Sequence, residues 1–268
     1  MKTKYIIVLI HEEQTKPYIL HTDKRFHENI IERHGCHVTE YLSQAGAKKK
    51  AAQCCKRYTY GKSYAMTYGE LEDREIISIM TGDEVSKESY GTGTIPFIRT
   101  SDIANWEIKL DPKQGLSKEI YERYKTRQDV KANDILMVRD GTYLVGTCAI
   151  ITEDDKEIVF QSHIYKIRVE KPEELDPLLL LALLSCPLVK SQIFAKRFTQ
   201  DIIDTLGERI HELLLPIPKS EEERKRIAGE VSKIIDYKKQ AKDMIRKVVT
   251  SVVPSENEDA KFMTLIVD

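Results

Sequence analysis

The rhythm of apolar and polar positions changes along the chain, and each change marks a segment. Residues 5–10, Tyr-Ile-Ile-Val-Leu-Ile, form a compact apolar run rich in β-branched side chains, and residues 17–21 form a weaker one. A polar stretch separates them, which predicts a hairpin or two neighbouring strands. From about residue 27 to 57 the pattern turns helical, broken near His34 and Gly35. Gly61 and Gly69 then punctuate a stretch holding Tyr58, Tyr60, Tyr64 and Tyr68. These changes place a boundary near residue 69.

Between residues 70 and 216 short strand-like runs alternate with turn signals. Strands are predicted at 75–80, 95–99, 135–139, 148–152, 158–160 and 164–169. Asp140-Gly141 reads as a tight turn after a strand. Asp176 followed by Pro177 is a helix start, with Asp as cap and Pro at the first helical position. Pro187 opens a second helix running towards Phe198. Strands mixed with segregated helices predict an α+β fold.

The last element is the most regular. Pro216 and Pro218 stop what precedes, and Ser220 with Glu223 makes a Ser-x-x-Glu capping box. A helix is predicted over 221–252, with apolar positions Ile227, Val231, Ile234, Ala241, Ile245, Val248 and Val252, and Lys238 as the exception. Steps of three and four keep these residues on one stripe. A helix this long exceeds what a small domain can cover. The stripe therefore predicts packing on another long helix, in this chain or in a partner. The expected division is an N-terminal α/β segment over 1–69, a globular domain over 70–218, the amphipathic helix over 219–253 and a tail over 254–268.

Composition adds little to the class. Hydrophobic residues make up 41% and charged residues 32%, and the formal charge is −1. That is globular rather than disordered, without the cationic excess common in small DNA-binding proteins. Local patches decide phosphate contact, so the balance excludes nothing. The 5 cysteines are odd in number, and no signal peptide is visible. Both predict a reduced, cytoplasmic protein. The most apolar run, 178–184, is far short of the roughly 20 residues that span a bilayer.

Polar residues at strand ends are the candidate chemistry. Arg99, Thr100, Ser101 and Asp102 follow one strand; Arg pairs with guanine acceptors, and Ser or Thr with bases or phosphates. The alternative is a local Asx or Ser turn. Arg139, Asp140, Gly141, Thr142 and Tyr143 follow another, where Gly permits close backbone approach. Gln161, Ser162 and His163 interrupt two apolar runs, and Gln suits adenine. Lys196, Arg197, Thr199 and Gln200 follow a helix and offer phosphate contacts, or are its solvated end. Lys48, Lys49, Lys50, Lys56, Arg57 and Lys62 lie near tyrosines, a pattern compatible with nucleic acid but more often a solvated face. His34, Cys36, His37, Cys54 and Cys55 lack zinc-site spacing, so no metal is expected.

The segments Gly93-Thr94-Ile95-Pro96-Phe97 through Asp102, Asn133-Asp134-Ile135-Leu136-Met137-Val138-Arg139-Asp140-Gly141, and Leu215-Pro216-Ile217-Pro218 before a Glu-rich helix carrying Arg226-Ile227-Ala228 come in a characteristic order. In this order the chain resembles specificity subunits of type I restriction–modification enzymes over roughly residues 70–252. The resemblance implies a target recognition domain that binds double-stranded DNA. It also implies a non-catalytic role beside a DNA methyltransferase (modification) subunit, with the restriction subunit as a further partner. S-adenosylmethionine would be held by the modification subunit, with no cofactor on this chain. Such subunits carry two recognition domains and two long helices, and this sequence has room for one of each. The resemblance therefore implies a half-subunit that pairs as a homodimer to restore two-fold symmetry, or a recognition module detached from a methyltransferase. Two alternatives stay open. One is an assembly module without DNA binding. The other is a metal-dependent nuclease built on Glu107-Ile108-Lys109, although no methyltransferase, Walker or Gly-x-Ser-x-Gly motif is present.

Overall fold

The computed structural model describes residues 63–252 apart from 110, 142, 201 and 202, together with the short strands Lys4–Leu9, Leu20–His21 and His37–Ser43. Five helices lie in the described part of the chain: α1 (Tyr68–Asp73), α2 (Lys118–Gln128), α3 (Pro177–Ser185), α4 (Pro187–Lys196) and α5 (Glu221–Val252).

A four-stranded antiparallel sheet forms the centre, in the order Cys148–Ile150, Ile135–Val138, Ile164–Val169, Ile77–Thr81. Side chains alternate between its faces, and both faces are covered. Ile135, Met137, Cys148, Ile150, Tyr165 and Ile167 join the Leu-rich α3 and α4 in the larger core cluster. Leu136, Val138, Ala149 and Ile164 face the other way, against Ile98, Ile103, Ile108 and Phe160. This two-sided cover explains why Ile135–Val138 is apolar at every position. A smaller cluster of Phe97, Leu116, Tyr121 and Val159 lies under α2. There Val159–Phe160 pairs in parallel with Ile95–Ile98, which pairs antiparallel with Gly115–Leu116.

Polar groups inside this body are used up by it. Lys166 is buried on the Ile164 face, and its Nζ donates to the carbonyls of Gln128 and Asp129 at the end of α2. Cations are favoured at a helix C-terminus. Arg168 reaches Asp129 and Asp134 at 2.7 Å each, and its hydrogen bonds hold the Asp129 carboxyl down at about 2. Buried Gln128 donates to Asp83 and to the Phe160 carbonyl and accepts from Phe160 N, each at 2.9 Å.

The strand Leu214–Pro218 pairs with Ser63–Thr67, which ties residues N-terminal to the expected boundary at 69 to the body. After Ser220, whose hydroxyl accepts from Glu223 N at 3.2 Å, α5 begins as predicted. Ala228 and Val231 are buried, with Ile227 and Ile235 beside them. Lys238 and Lys242 continue this face onto Glu107, at 3.1 and 3.7 Å. The polar exception in the stripe is therefore the point where the helix is held by charge rather than by apolar contact.

Two expectations need correction. Within the stretch expected to be helical at 27–57, His37–Ser43 is a strand, paired antiparallel with Lys4–Leu9. Its alternation of small runs was too short to separate the two periods. Asp140–Gly141 is not a turn but a short strand against Ile203–Thr205, because a partner distant in sequence supplies its hydrogen bonds. The helix opened by Pro187 runs towards Phe198 as expected, ending at Lys196 before Phe198 begins a strand. The stripe of α5 outruns the body it packs on: Ile234, Ile245, Val248 and Val252 are exposed at 39%, 50%, 63% and 77%. No single helix among the described residues is long and apolar enough to cross a membrane.

Gly82 is where the sheet and the smaller cluster touch. A Cβ there would lie 2.3 Å from the Phe160 carbonyl oxygen and 2.4 Å from that of Gln161. Both are backbone atoms that cannot swing away. Gly82→Ala is expected to lower unfolding stability in urea by about 1–3 kcal/mol. Gly229→Ala, on a helix face with nothing within 4 Å, is expected to raise it by up to about 1 kcal/mol.

Candidate nucleic-acid interface

Three of the strand-end segments singled out in the sequence meet at one place. Gln161 N donates to the Ile98 carbonyl at 3.0 Å, which sets the loop 161–163 beside Arg99. Arg139 N and Asp140 N donate to the His163 carbonyl at 2.9 and 3.3 Å. The fourth segment arrives through a small sheet, in which Asp140–Gly141 pairs with Ile203–Thr205 and that strand with Phe198–Gln200.

Asp140 is the joint. It is buried, and its carboxylate accepts from the Thr205 hydroxyl and faces His163 Nδ1 at 2.8 Å. Arg139 Nε lies 3.4 Å from the same carboxylate without the alignment for a hydrogen bond. The Arg139 guanidinium sits over the Tyr165 ring at 5.9 Å, and the Tyr165 hydroxyl donates to the Gly207 carbonyl at 2.8 Å. Burial pushes the Tyr165 phenol well above its ordinary range. Asp140 therefore faces inward and holds three chain segments together, and the His163 side chain that it grips remains partly exposed. Asp102 has a similar inward duty. It is buried, and its Oδ2 accepts from Arg99 N at 2.9 Å, closing the local turn and leaving Arg99 half-buried and Ser101 exposed beside it.

The remaining candidates separate by their partners. Thr100, Gln161, Ser162 and His163 are half-buried, and Tyr143 stands out at 83% exposure. Lys196 is mostly covered and paired with Glu212 at 2.8 Å, so it braces α4 rather than waiting for a phosphate. Arg197 lies 3.5 Å from Asp204 and stacks on Phe194 at 4.3 Å. Thr142, the side chains of Thr199 and Gln200, the basic cluster from Lys48 to Lys62 and the side chains of His34, Cys36, His37, Cys54 and Cys55 lie outside the described residues.

Several members of this face were not foreseen. Arg209 stacks on Phe198 at 4.6 Å and donates to the Lys196 carbonyl at 3.0 Å. Phe194 and Phe198 are exposed at 54% and 36%. The Phe194–Arg197 spacing of three is a legible local signal. Arg209 has none, because it enters from the 3-10 turn Gly207–Glu212. Among the described residues no three His, Cys, Asp or Glu side chains are grouped to hold a metal ion. Glu107, the acidic member of the Glu-x-Lys pattern, is engaged by Lys238 and Lys242.

A family described as the type I restriction modification DNA specificity domain matches residues 70–247. Similar solved structures include the S subunit of a type I restriction–modification system from M. genitalium, at 15% identity over 65% of this chain and 39% of that one, with a TM-score of 0.45. A second belongs to work on complex assembly and conformational transition of the type I R-M system, at 14% identity over 85% of this chain and 52% of that one, with a TM-score of 0.44. The HsdS subunit from Thermoanaerobacter tengcongensis is 14% identical over 84% of this chain and 51% of that one, with a TM-score of 0.43. The chain spans about half or less of the length of these proteins. No curated protein matches it.

Removing the joint has an expected signature. Asp140→Ala leaves His163 and Thr205 without their acceptor and should cost about 1–3 kcal/mol in unfolding stability. Amide exchange should rise at 161–163 and 203–205 and stay unchanged in α5. Unchanged exchange at both loops would mean that Asp140 does not organise this face.

Proposed function

The chain belongs to the type I restriction modification DNA specificity domain family, and we propose that it reads a DNA sequence and catalyses nothing itself. The observation that carries this reading is the convergence of Arg99–Ser101, Arg139, Gln161–His163 and Arg197 on one face through backbone hydrogen bonds. Convergent polar side chains on a rigid scaffold can meet base edges in a groove, which is where sequence is read. Arg99 and Gln161 are the proposed base readers. Arg139, Arg197 and Arg209 are the proposed phosphate contacts and positioning groups. Asp102 and Asp140 hold them and touch no DNA.

The proposed target is one half of a bipartite site, with α5 as spacer and docking surface. Beyond Lys242 the helix carries Met244, Ile245, Val248, Val249 and Val252 at 50% to 77% exposure. An unshielded apolar series of this kind on one helix is covered by a partner in a folded assembly. The proposed partner is the helix of a second copy or the modification subunit, which would also bring S-adenosylmethionine. The same exposed stripe, with the near-neutral net charge, favours as second reading an assembly module that ignores DNA.

Binding to a labelled duplex should weaken steeply with salt, because phosphate contacts release counterions. On a preferred duplex, selected from a random pool, Arg99→Ala or Gln161→Ala should cost about 1–3 kcal/mol while changing binding to unrelated DNA little. Flat salt dependence, or no retention of DNA at all, would sink the reading and leave the assembly module.

Mass in solution tests the helix. A dimer, or a stable complex with the modification subunit, is expected, and Ile245→Glu with Val248→Glu should dissociate it. A monomer that ignores the modification subunit would remove the docking role.

A further inference from the structure

A cavity of about 350 Å³ opens beside the DNA-facing edge, between the 143–148 segment and helices α3 and α4. Its volume falls in the range of small-molecule sites, roughly 300–1,000 Å³. Trp106, Tyr143 and Phe194 give it aromatic walls, Lys190 and Arg197 give it cations, and Asn105 adds an amide. A purely apolar ligand would need no cations, and a lone phosphate would need no aromatic walls. The lining suits a flat ring that carries an anion.

The backbone is strained to present this wall. Asn105 and Trp106 have φ of +48° and +71°, a region that a bulky side chain rarely occupies and that clusters at ligand sites. Three contacts hold Trp106 there. Its N donates to the Cys148 carbonyl at 3.0 Å, its carbonyl accepts from Ile150 N at 3.1 Å, and its indole N–H donates to Ser185 Oγ at 2.7 Å. The opposite wall depends on Gly146, where φ is +83° and a Cβ would lie 2.8 Å from Ile193 Cδ1. Burial raises the Cys148 thiol to about 12, so this thiol is no reactive nucleophile.

We propose that this cavity binds a nucleotide, its base against the aromatic walls and its phosphate on Lys190 and Arg197. The nucleotide is either free or displaced from DNA on the adjoining face; only the second source rests on the DNA-reading function proposed above. Trp106 is the single tryptophan of the chain, so its fluorescence reports on its own surroundings, and substitutions confined to this cavity assign the signal to it.

The test titrates the full chain, excited at the red edge of the indole band, with adenosine 5′-monophosphate and with ribose 5-phosphate. It then uses a fully paired duplex and the same duplex with one unpaired nucleotide, following duplex binding separately by anisotropy. Saturable quenching by the mononucleotide and not by the sugar phosphate supports the free source. Quenching only by the duplex with the unpaired nucleotide supports the displaced one. In either case Phe194→Ala and Lys190→Ala, both at exposed positions, should weaken the quenching-derived affinity about tenfold. No quenching while anisotropy shows duplex bound would overturn the pocket and leave the DNA reading standing. No quenching and no duplex binding would overturn both, and quenching unaffected by either substitution would overturn the assigned cavity.

Discussion

Covering the four-stranded sheet on both faces leaves no place along its strands for a polar side chain without an internal partner, since burying one unpaired costs several kcal/mol. Lys166 shows the rule by exception, spending its ammonium on two carbonyls at the end of α2. Within the strands Ser78 and Arg168 are likewise paired, with Glu170 and with Asp129 and Asp134, and further polar residues follow at the strand ends. Val138 is followed by Arg139, Ile98 by Arg99, Phe160 by Gln161, and Ile164 is preceded by His163. The same constraint that builds the core therefore gathers the outward-facing polar groups.

Gathering is not yet a surface, and the charged residues divide according to whether the fold has already engaged them. Arg168, Lys166 and Lys196 are neutralised within the body. Asp102 and Asp140 turn inward and fix the loops that carry Arg99 and His163. Arg99, Arg139, Gln161 and Tyr143 keep half-buried or exposed side chains, although the chain as a whole carries a net charge of −1. Burying Asp102 and Asp140 thus lets a nearly neutral chain present cations and amides at these strand ends.

The long helix α5 is treated differently along its length. Its first turns are anchored by Ala228 and Val231 in the core, and its middle by Lys238 and Lys242 on Glu107. Beyond that point the body ends while the apolar series continues. The ion-paired stretch marks the place where intramolecular packing gives way to a surface that another helix can cover.

Local pattern alone determined much of this protein. The Asp176 and Ser220 caps and the extent of α5 were legible because they rest on contacts within a few residues, and the strands at 135–138 and 164–169 because compact, β-branched apolar runs mark them. Helix α2 was not anticipated, although Ser117 caps it by accepting from Ile120 N. Its apolar positions, Ile120, Tyr121 and Tyr124, are too few to establish a helical period. The candidate segments after each strand could be named from their residue types. Their meeting around 161–163 could not, because it depends on hydrogen bonds from Gln161 to Ile98 and from Arg139 to His163. Tertiary structure also decided that Asp140 is a strand and a buried joint, since its partners Thr205 and His163 lie 65 and 23 residues away. It decided too which part of the α5 stripe is covered. Sequence period specifies that a helix has an apolar side, but only the size and position of the body specify where that side runs out of protein to pack against.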